Sequence, residues 1–459
     1  MARLPERFNN FECMRYTSVI FISIGLLILS CNKDKGEIKY GVEDAELLHA
    51  CQKGLTDVIV LDIFTPPVAS RIYVYPMLAA YEAGRFSNTG SKSLTASLNF
   101  FENIPQPEAG LDYDFTVAAI RAFAETSKKV IFSKNKIDEL ETELLDKIKS
   151  RSSSEVFDRS LNFGSKVAEV IIARLSQDNY KETRGMERFE VKILPGLWVP
   201  TPPDYADSVE PHWSKMKTMV LDSARQCRVD NPIPYSEKTD SPFWNELMNV
   251  HDLVNTIDED SDELNMAIFW DDNPFVSRHK GHLMFQDKKM TPGGHWLSIC
   301  RVVSRQQRAD FFTVSLAYAL TSVSIFEAFI SCWDTKYFTM RVRPETDINN
   351  KINKDWHPHL VTPPFPAFTS GHSTVSSAAA ETLTLLFGDV AYIDSTELEY
   401  GLPIRSFTSF RQAALEASIS RVYAGIHFPS DCTAGNEQGK KIAQLVIDRL
   451  KKNSFPLPH

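Results

Sequence analysis

After about residue 42 this 459-residue chain offers no convincing run of alternating apolar and polar residues, and a half-buried sheet needs that alternation. Apolar residues recur instead at the three-and-four spacing of amphipathic helices. The spacing predicts helices over about 67–86, 113–133, 136–150 and 154–177, then 242–257 and 262–270. It continues with one short and one long helix inside 293–338, and further helices over 370–388, 406–424 and 430–452. The predicted fold class is all-α: helical bundles, an N-terminal one (32–190) packed on a C-terminal one (291–459). Residues 191–290 lie between, with connecting helices and a stretch, "LPGLWVPTPPDYADSVEPHW" (194–213), too rich in proline for a helix. A loop of that length reads as functional rather than as a linker. The segment "SGHSTVSSAAAETLTLLFG" (370–388) is rich in small residues, as a closely packed central helix would be.

Composition sets the remaining bounds. The chain is 43% hydrophobic and 24% charged, which gives ample material for a core. A net charge of -9 without any basic run argues against a nucleic-acid surface. Seven scattered cysteines form no CxxC and no Cys/His cluster at zinc spacing, so no structural zinc is expected. Near the N-terminus, "MRYTSVIFISIGLLILSC" (14–31) has a cation, Arg15, and an apolar run from Thr17 to Leu29. That run is shorter than the roughly 20 residues of a membrane span and reads as a secretory signal, with Met1 or Met14 as its start. Ile28-Leu29-Ser30-Cys31 resembles a bacterial lipobox, which implies an exported cell-envelope lipoprotein attached to the membrane only through lipid on Cys31. A plain cleaved signal and a secreted protein are the alternative. Five cysteines then remain in an oxidising space, and their pairing cannot be read.

Three C-terminal segments concentrate polar residues at helix ends. In "KYFTMRVRP", Lys336 closes the long apolar helix and Arg343 precedes Pro344, which pushes it into extended geometry. In "FPAFTSGHSTV", Ser370-Gly371-His372 opens a helix, whose unpaired N–H groups form an anion cradle that Gly371 leaves open. In "SRVYAGIHFPSD", Gly425 stops one helix with Arg421 in its last turn, and His427 stands just before a helix that starts at Pro429. Asp431, in that first turn, is placed to hold one nitrogen of His427 and leave the other free as nucleophile or ligand. Each residue alone fits an ordinary structural role: a helix-end cation, a cap, a core histidine. Jointly they provide three permanent cations, a helix N-terminus, a hydroxyl and two histidines, an inventory suited to a tetrahedral oxyanion. Asp271 or Asp272 is expected to partner one of the arginines, because an uncompensated buried trio of cations is costly. His295, His357 and His359 stand apart. The His-x-His of "DWHPHL" reads as loop structure near the site entrance, not as a metal pair.

The ordered pattern of Lys336, Arg343-Pro344, Ser370-Gly371-His372, Ser420-Arg421, His427 and Asp431 resembles the signature of the type 2 phosphatidic acid phosphatase and vanadium-dependent haloperoxidase superfamily. One departure is Thr369, where the family usually has proline before Ser-Gly-His. The motif covers roughly 333–431; the Trp198–Pro203 loop and the Gly293–Trp296 stretch add a general likeness to long bacterial haloperoxidase homologues. The resemblance implies that Lys336, Arg343 and Arg421, with Ser370 and the Gly371 amide, hold the oxygens of vanadate, or of phosphate in the same cage. It implies His427 as axial ligand to vanadium or nucleophile on phosphorus, Asp431 as its orienting carboxylate and His372 as acid/base. Two branches stay open: halide oxidation by hydrogen peroxide, or phosphate-ester hydrolysis through a phosphohistidine. The chain's length, the lack of multiple membrane-length segments, and Trp333 and Phe365 as resembling halide-side aromatics favour the peroxidase branch. A lipid-anchored sugar- or polymer-binding protein is a third reading, but it leaves the cage without a role.

Overall fold

In the computed structural model, residues 38–457 are described, except 275, 281 and 282 and the side chains of 276–280 and 283–287. The signal and lipobox, Cys31 included, lie outside the described residues. The N-terminal half builds α1 (Val42–Asp62), α2 (Pro66–Gly84), α3 (Phe115–Ser127), α4 (Lys134–Ile148), α5 (Ser154–Leu175) and the short α6 (Tyr180–Arg184). A long irregular stretch leads to α7 (Pro242–Thr256) and α8 (Asp262–Phe269), followed by a hairpin of β1 (Val276–Lys280) and β2 (Leu283–Asp287). Next come α9 (Pro292–Gln306), α10 (Phe311–Thr339), α11 (Pro344–Lys351) and α12 (Gly371–Phe387). A second small hairpin, β3 (Tyr392–Asp394) with β4 (Arg405–Phe407), precedes α13 (Phe410–Tyr423) and α14 (Pro429–Lys452).

Side-chain caps set many of the helix starts. Asp114, Ser153, Thr291, Asp310, Ser370 and Ser409 each accept a backbone N–H from the first turn of their helix. The all-α expectation holds, since among the described residues the two sheets are two-stranded hairpins. Several details differ from the sequence pattern, among them the β1–β2 hairpin and the short α6, which the apolar spacing did not announce. The helix expected over 113–133 stops at Ser127, and beyond it the Asp62 carboxylate accepts the N–H groups of Phe132 and Ser133, turning the chain aside before α4. The helix expected from 406 begins at Phe410, because 405–407 pairs as a strand. Helix α11 was not expected, since eight mostly polar residues give no apolar stripe.

The 29-residue α10 is the structural axis. It is long and apolar enough to cross a membrane, but 94% of its apolar window is buried inside the protein. It packs on α2 from the N-terminal half and on α12 from the C-terminal half, so one hydrophobic core runs from Ala45 to Phe455. Helix α14 lies close against α12 because Gly435 and Gly439 present no side chain there. A Cβ on Gly439 would stand 2.2 Å from the Thr374 carbonyl oxygen, and one on Gly435 2.8 Å from that of Ser370. That contact sets the starts of α12 and α14 side by side. The described cysteines, Cys51, Cys227, Cys300, Cys332 and Cys432, are buried free thiols.

Candidate active site

Four helix ends meet: the C-termini of α10 and α13 and the N-termini of α12 and α14. Lys336, in the last turn of α10, is fully buried and donates to the carbonyls of Pro366 (2.8 Å) and Ala367 (3.1 Å). Arg343 caps α11 in extended geometry, as the following proline requires. Its guanidinium donates to Phe365 O (2.9 Å), Ile426 O (2.7 Å) and His427 Nε2 (3.1 Å). Ser370 caps α12, and its own N–H donates to the Asp431 carbonyl, tying α12 to α14. The missing Cβ of Gly371 would be 3.7 Å from Trp333 and 4.0 Å from the Lys336 side chain, so the space over this helix end is open.

Helix α13 ends on Gly425, at φ +80°, with the Ile426 N–H returning to the Arg421 carbonyl. The turn leaves Arg421 buried, with Nη1 donating to Trp270 O at 2.8 Å and Nε without a partner. His427 follows, its Nδ1 3.1 Å from Asp431 Oδ2, which also accepts the Phe428 N–H. The carboxylate requires a proton on Nδ1, so Nε2 carries the lone pair.

Electrostatics follow from this packing. Desolvation, then Arg343, pulls the Lys336 ammonium down to about 7. Burial likewise lowers Arg343 to about 9 and Arg421 below its usual range. His427 is held well below the ordinary imidazole range by desolvation and then by Arg343, Lys336 and Arg421. Desolvation and Arg421 do the same to His372, which sits on the first turn of α12 with Nε2 unpartnered. Mutually destabilised basic groups, the unpartnered His372 Nε2 and the unpaired buried Nε–H of Arg421 form a set that an oxyanion would satisfy.

The structure thus brings Lys336, Arg343, Ser370, Gly371, His372, Arg421, His427 and Asp431 together. Phe365 lines the cavity that leads to them, while Trp333 is buried behind it at 5.0 Å between ring centres. That cavity, about 340 Å³, is walled by prolines such as Pro202 and Pro363, and His372 and Arg421 border it. The Pro-rich loop is held there by backbone bonds from Trp198 to Met340 and from Val342 to Gly196. Asp271 and Asp272 both act electrostatically on Arg421, but Asp272 hydrogen-bonds His295 and Asp271 lies 3.8 Å from Lys289. His357 and His359 are exposed and do not line the cavity; the His359 N–H donates to Ala424 O, in keeping with a loop role.

Sequence reasoning missed Arg341 and Glu246. Arg341 donates to Asp431 Oδ1 (2.5 Å) and Glu246 Oε2 (2.6 Å), while Glu246 Oε1 accepts the Ser430 N–H. Its signal was the R-x-R of "RVRP": in an extended segment residues two apart share a face.

A family model, the VCPO second helical-bundle domain, matches residues 349–454. Among solved structures, a bacterial vanadium-dependent iodoperoxidase is 41% identical with a TM-score of 0.85, over 92% of this chain and 99% of that one. A bacterial vanadium-dependent chloroperoxidase, as holo and apo forms, gives TM-scores of 0.65 at 16% and 15% identity. These two cover 86% of this chain and 94% and 97% of theirs, and identity that low shows the fold alone. A sequence search of curated proteins returned no match. With two-fifths of its residues shared over nearly the full length of a relative, the chain belongs to the vanadium-dependent haloperoxidase family.

Proposed function

We propose that this haloperoxidase holds vanadate where the ends of α10, α12, α13 and α14 meet, and that iodide is its preferred halide. Lys336, Arg343 and Arg421, with the Ser370 hydroxyl and Gly371 amide, would hold the oxygens, and His427 Nε2 would bind the vanadium. The observation that carries this is geometric: His427, its Nδ1 held by Asp431 and its Nε2 turned toward Arg343, is buried together with Lys336, Arg343 and Arg421. When bound, vanadate supplies the activation of hydrogen peroxide toward oxygen transfer to halide.

The chain's own groups do the rest. The cations fix a multiply charged anion in a site largely shielded from water, where each contact is worth more than at a surface. Forming hypohalous acid and water from peroxide and halide consumes one proton, and His372 borders the cavity where that proton is needed. The proline and Phe365 wall is apolar, and a large, weakly hydrated anion loses least on entering such surroundings. The 41% identical iodoperoxidase supports the same halide.

Initial rates with peroxide and each halide, after loading with orthovanadate, test the reading. Iodide should be oxidised fastest and His427→Ala should remove the activity. Equal or greater rates with chloride would contradict the halide assignment, and an active His427→Ala would contradict the site.

A further inference from the structure

A second buried charged cluster lies beside His372, centred on His295 in the first turn of α9. The His295 ring is fully buried and stacks on Trp270 at 4.5 Å between centres. Its Nδ1 is 2.9 Å from Asp272 Oδ1 and its Nε2 3.0 Å from Asp394 Oδ2. A neutral imidazole has one N–H and could serve only one of these carboxylates, leaving its lone pair against the oxygen of the other. With both carboxyl groups ionised the geometry therefore calls for an imidazolium, which has no lone pair to offer a metal ion. Asp394 is fixed in turn, its other oxygen accepting the N–H and hydroxyl of Thr396.

Asp272 is unusual on two counts. Its backbone is in the left-handed region at φ +44°, uncommon for a residue with a side chain. Its Oδ2 is buried without a hydrogen-bond partner and lies 3.9 Å from His372 Nε2. Arg421, whose charge it feels, also has an unpartnered Nε. A buried aspartate and a buried arginine in one cluster would be expected to close into an ion pair, yet Asp272 is engaged by His295 and Arg421 by the Trp270 carbonyl, leaving Oδ2 and Nε unpartnered.

We propose that His295 is a positioning residue: it pins Asp272 from behind so that the free oxygen faces His372 and cannot close on Arg421. The pin keeps Arg421 available to the oxyanion and gives His372 a carboxylate partner when it is protonated. The inference rests on the proposed roles of Arg421 and His372. The remaining charged neighbours are consistent with it. Glu397 Oε1 lies 3.8 Å from His295 Nδ1, and burial pushes its carboxyl up to about 8, toward the neutral form. Lys289 adds positive charge beside Asp271 and Glu397. Burial opposes a charged His295, but Asp272 and Asp394 hold it well above the usual range.

Two variants and one measurement on the native protein test the pin. His295→Gln and Asp394→Asn should remain folded by circular dichroism yet bind orthovanadate about tenfold more weakly or worse, the scale of a lost charged hydrogen bond. The pH profile of iodide oxidation should also shift, which a purely structural role would not produce. Wild-type orthovanadate affinity and an unchanged pH profile in a folded variant would overturn the proposal. Should both variants fail to fold, nitrogen-15 spectra of histidine-labelled native protein decide: both His295 nitrogens should be protonated at about pH 7.5, and a single protonation would overturn the pin. That spectrum needs no vanadate, so it separates failure of the pin from failure of the haloperoxidase reading.

Discussion

Buried charge sorts the residues of this site into those facing the oxyanion and those holding them there. Arg341 belongs to the second group, bridging Asp431 to Glu246 in a nearly solvent-free position. Arg341→Ala should destabilise the fold by about 3–5 kcal/mol, because it leaves two carboxylates buried without their cation. Denaturant unfolding measures this, and a loss under about 1 kcal/mol would mean that the bridge is solvated. Lys336 gives a signed pH effect. With no anion bound its ammonium titrates at about 7, and a bound anion favours the charged form. Binding of sulfate, whose own charge is constant here, should therefore take up protons, with affinity highest below about pH 7 and falling as pH rises above it. Calorimetry at about pH 8 in buffers of different ionisation enthalpy should show that uptake; constant affinity from roughly pH 6 to 9 would contradict it. The oxyanion-facing residues were legible in the sequence because their types and order over 336–431 match a superfamily signature and each stands at a helix end. The supporting ones were not: Arg341 meets Asp431 and Glu246 at separations of 90 and 95 residues, which no local pattern displays.

At the scale of elements, the site depends on how closely α12 and α14 approach. Gly439→Ala would drive a methyl group into the Thr374 carbonyl and should cost about 1–3 kcal/mol, read as a lower melting temperature. Gly371→Ala meets only ordinary contacts, so it should melt like the native protein while binding oxyanion more weakly, its methyl occupying the cradle. A Gly371→Ala variant with native orthovanadate affinity would remove that helix end from the cage. Most helix positions were legible from apolar spacing and caps, as α10 and α14 show. The end of α3 was not, because it is set by the Asp62 carboxylate about seventy residues earlier in the chain. The three-residue strands β3 and β4 are too short for alternation to register, although β3 carries Asp394 of the His295 pin.

For the whole molecule, the two halves share one core along α10, and the Pro-rich loop brings a wall of the cavity to helix ends formed far along the chain. The fold thus concentrates buried cations at one point and leaves an apolar approach to it. Such a site is stabilised by the anion it is built for: orthovanadate at about a hundred times its dissociation constant should add about 2.7 kcal/mol to unfolding stability. Titration of vanadium-stripped protein with orthovanadate, followed by iodide oxidation, tests the central claim most directly. The account predicts no activity without vanadate and a rise that saturates at about one equivalent per chain, by analogy with a single tight site. Iodide oxidation independent of added vanadate, or a saturated protein that oxidises no halide but hydrolyses an aryl phosphate once the vanadate is removed, would contradict it.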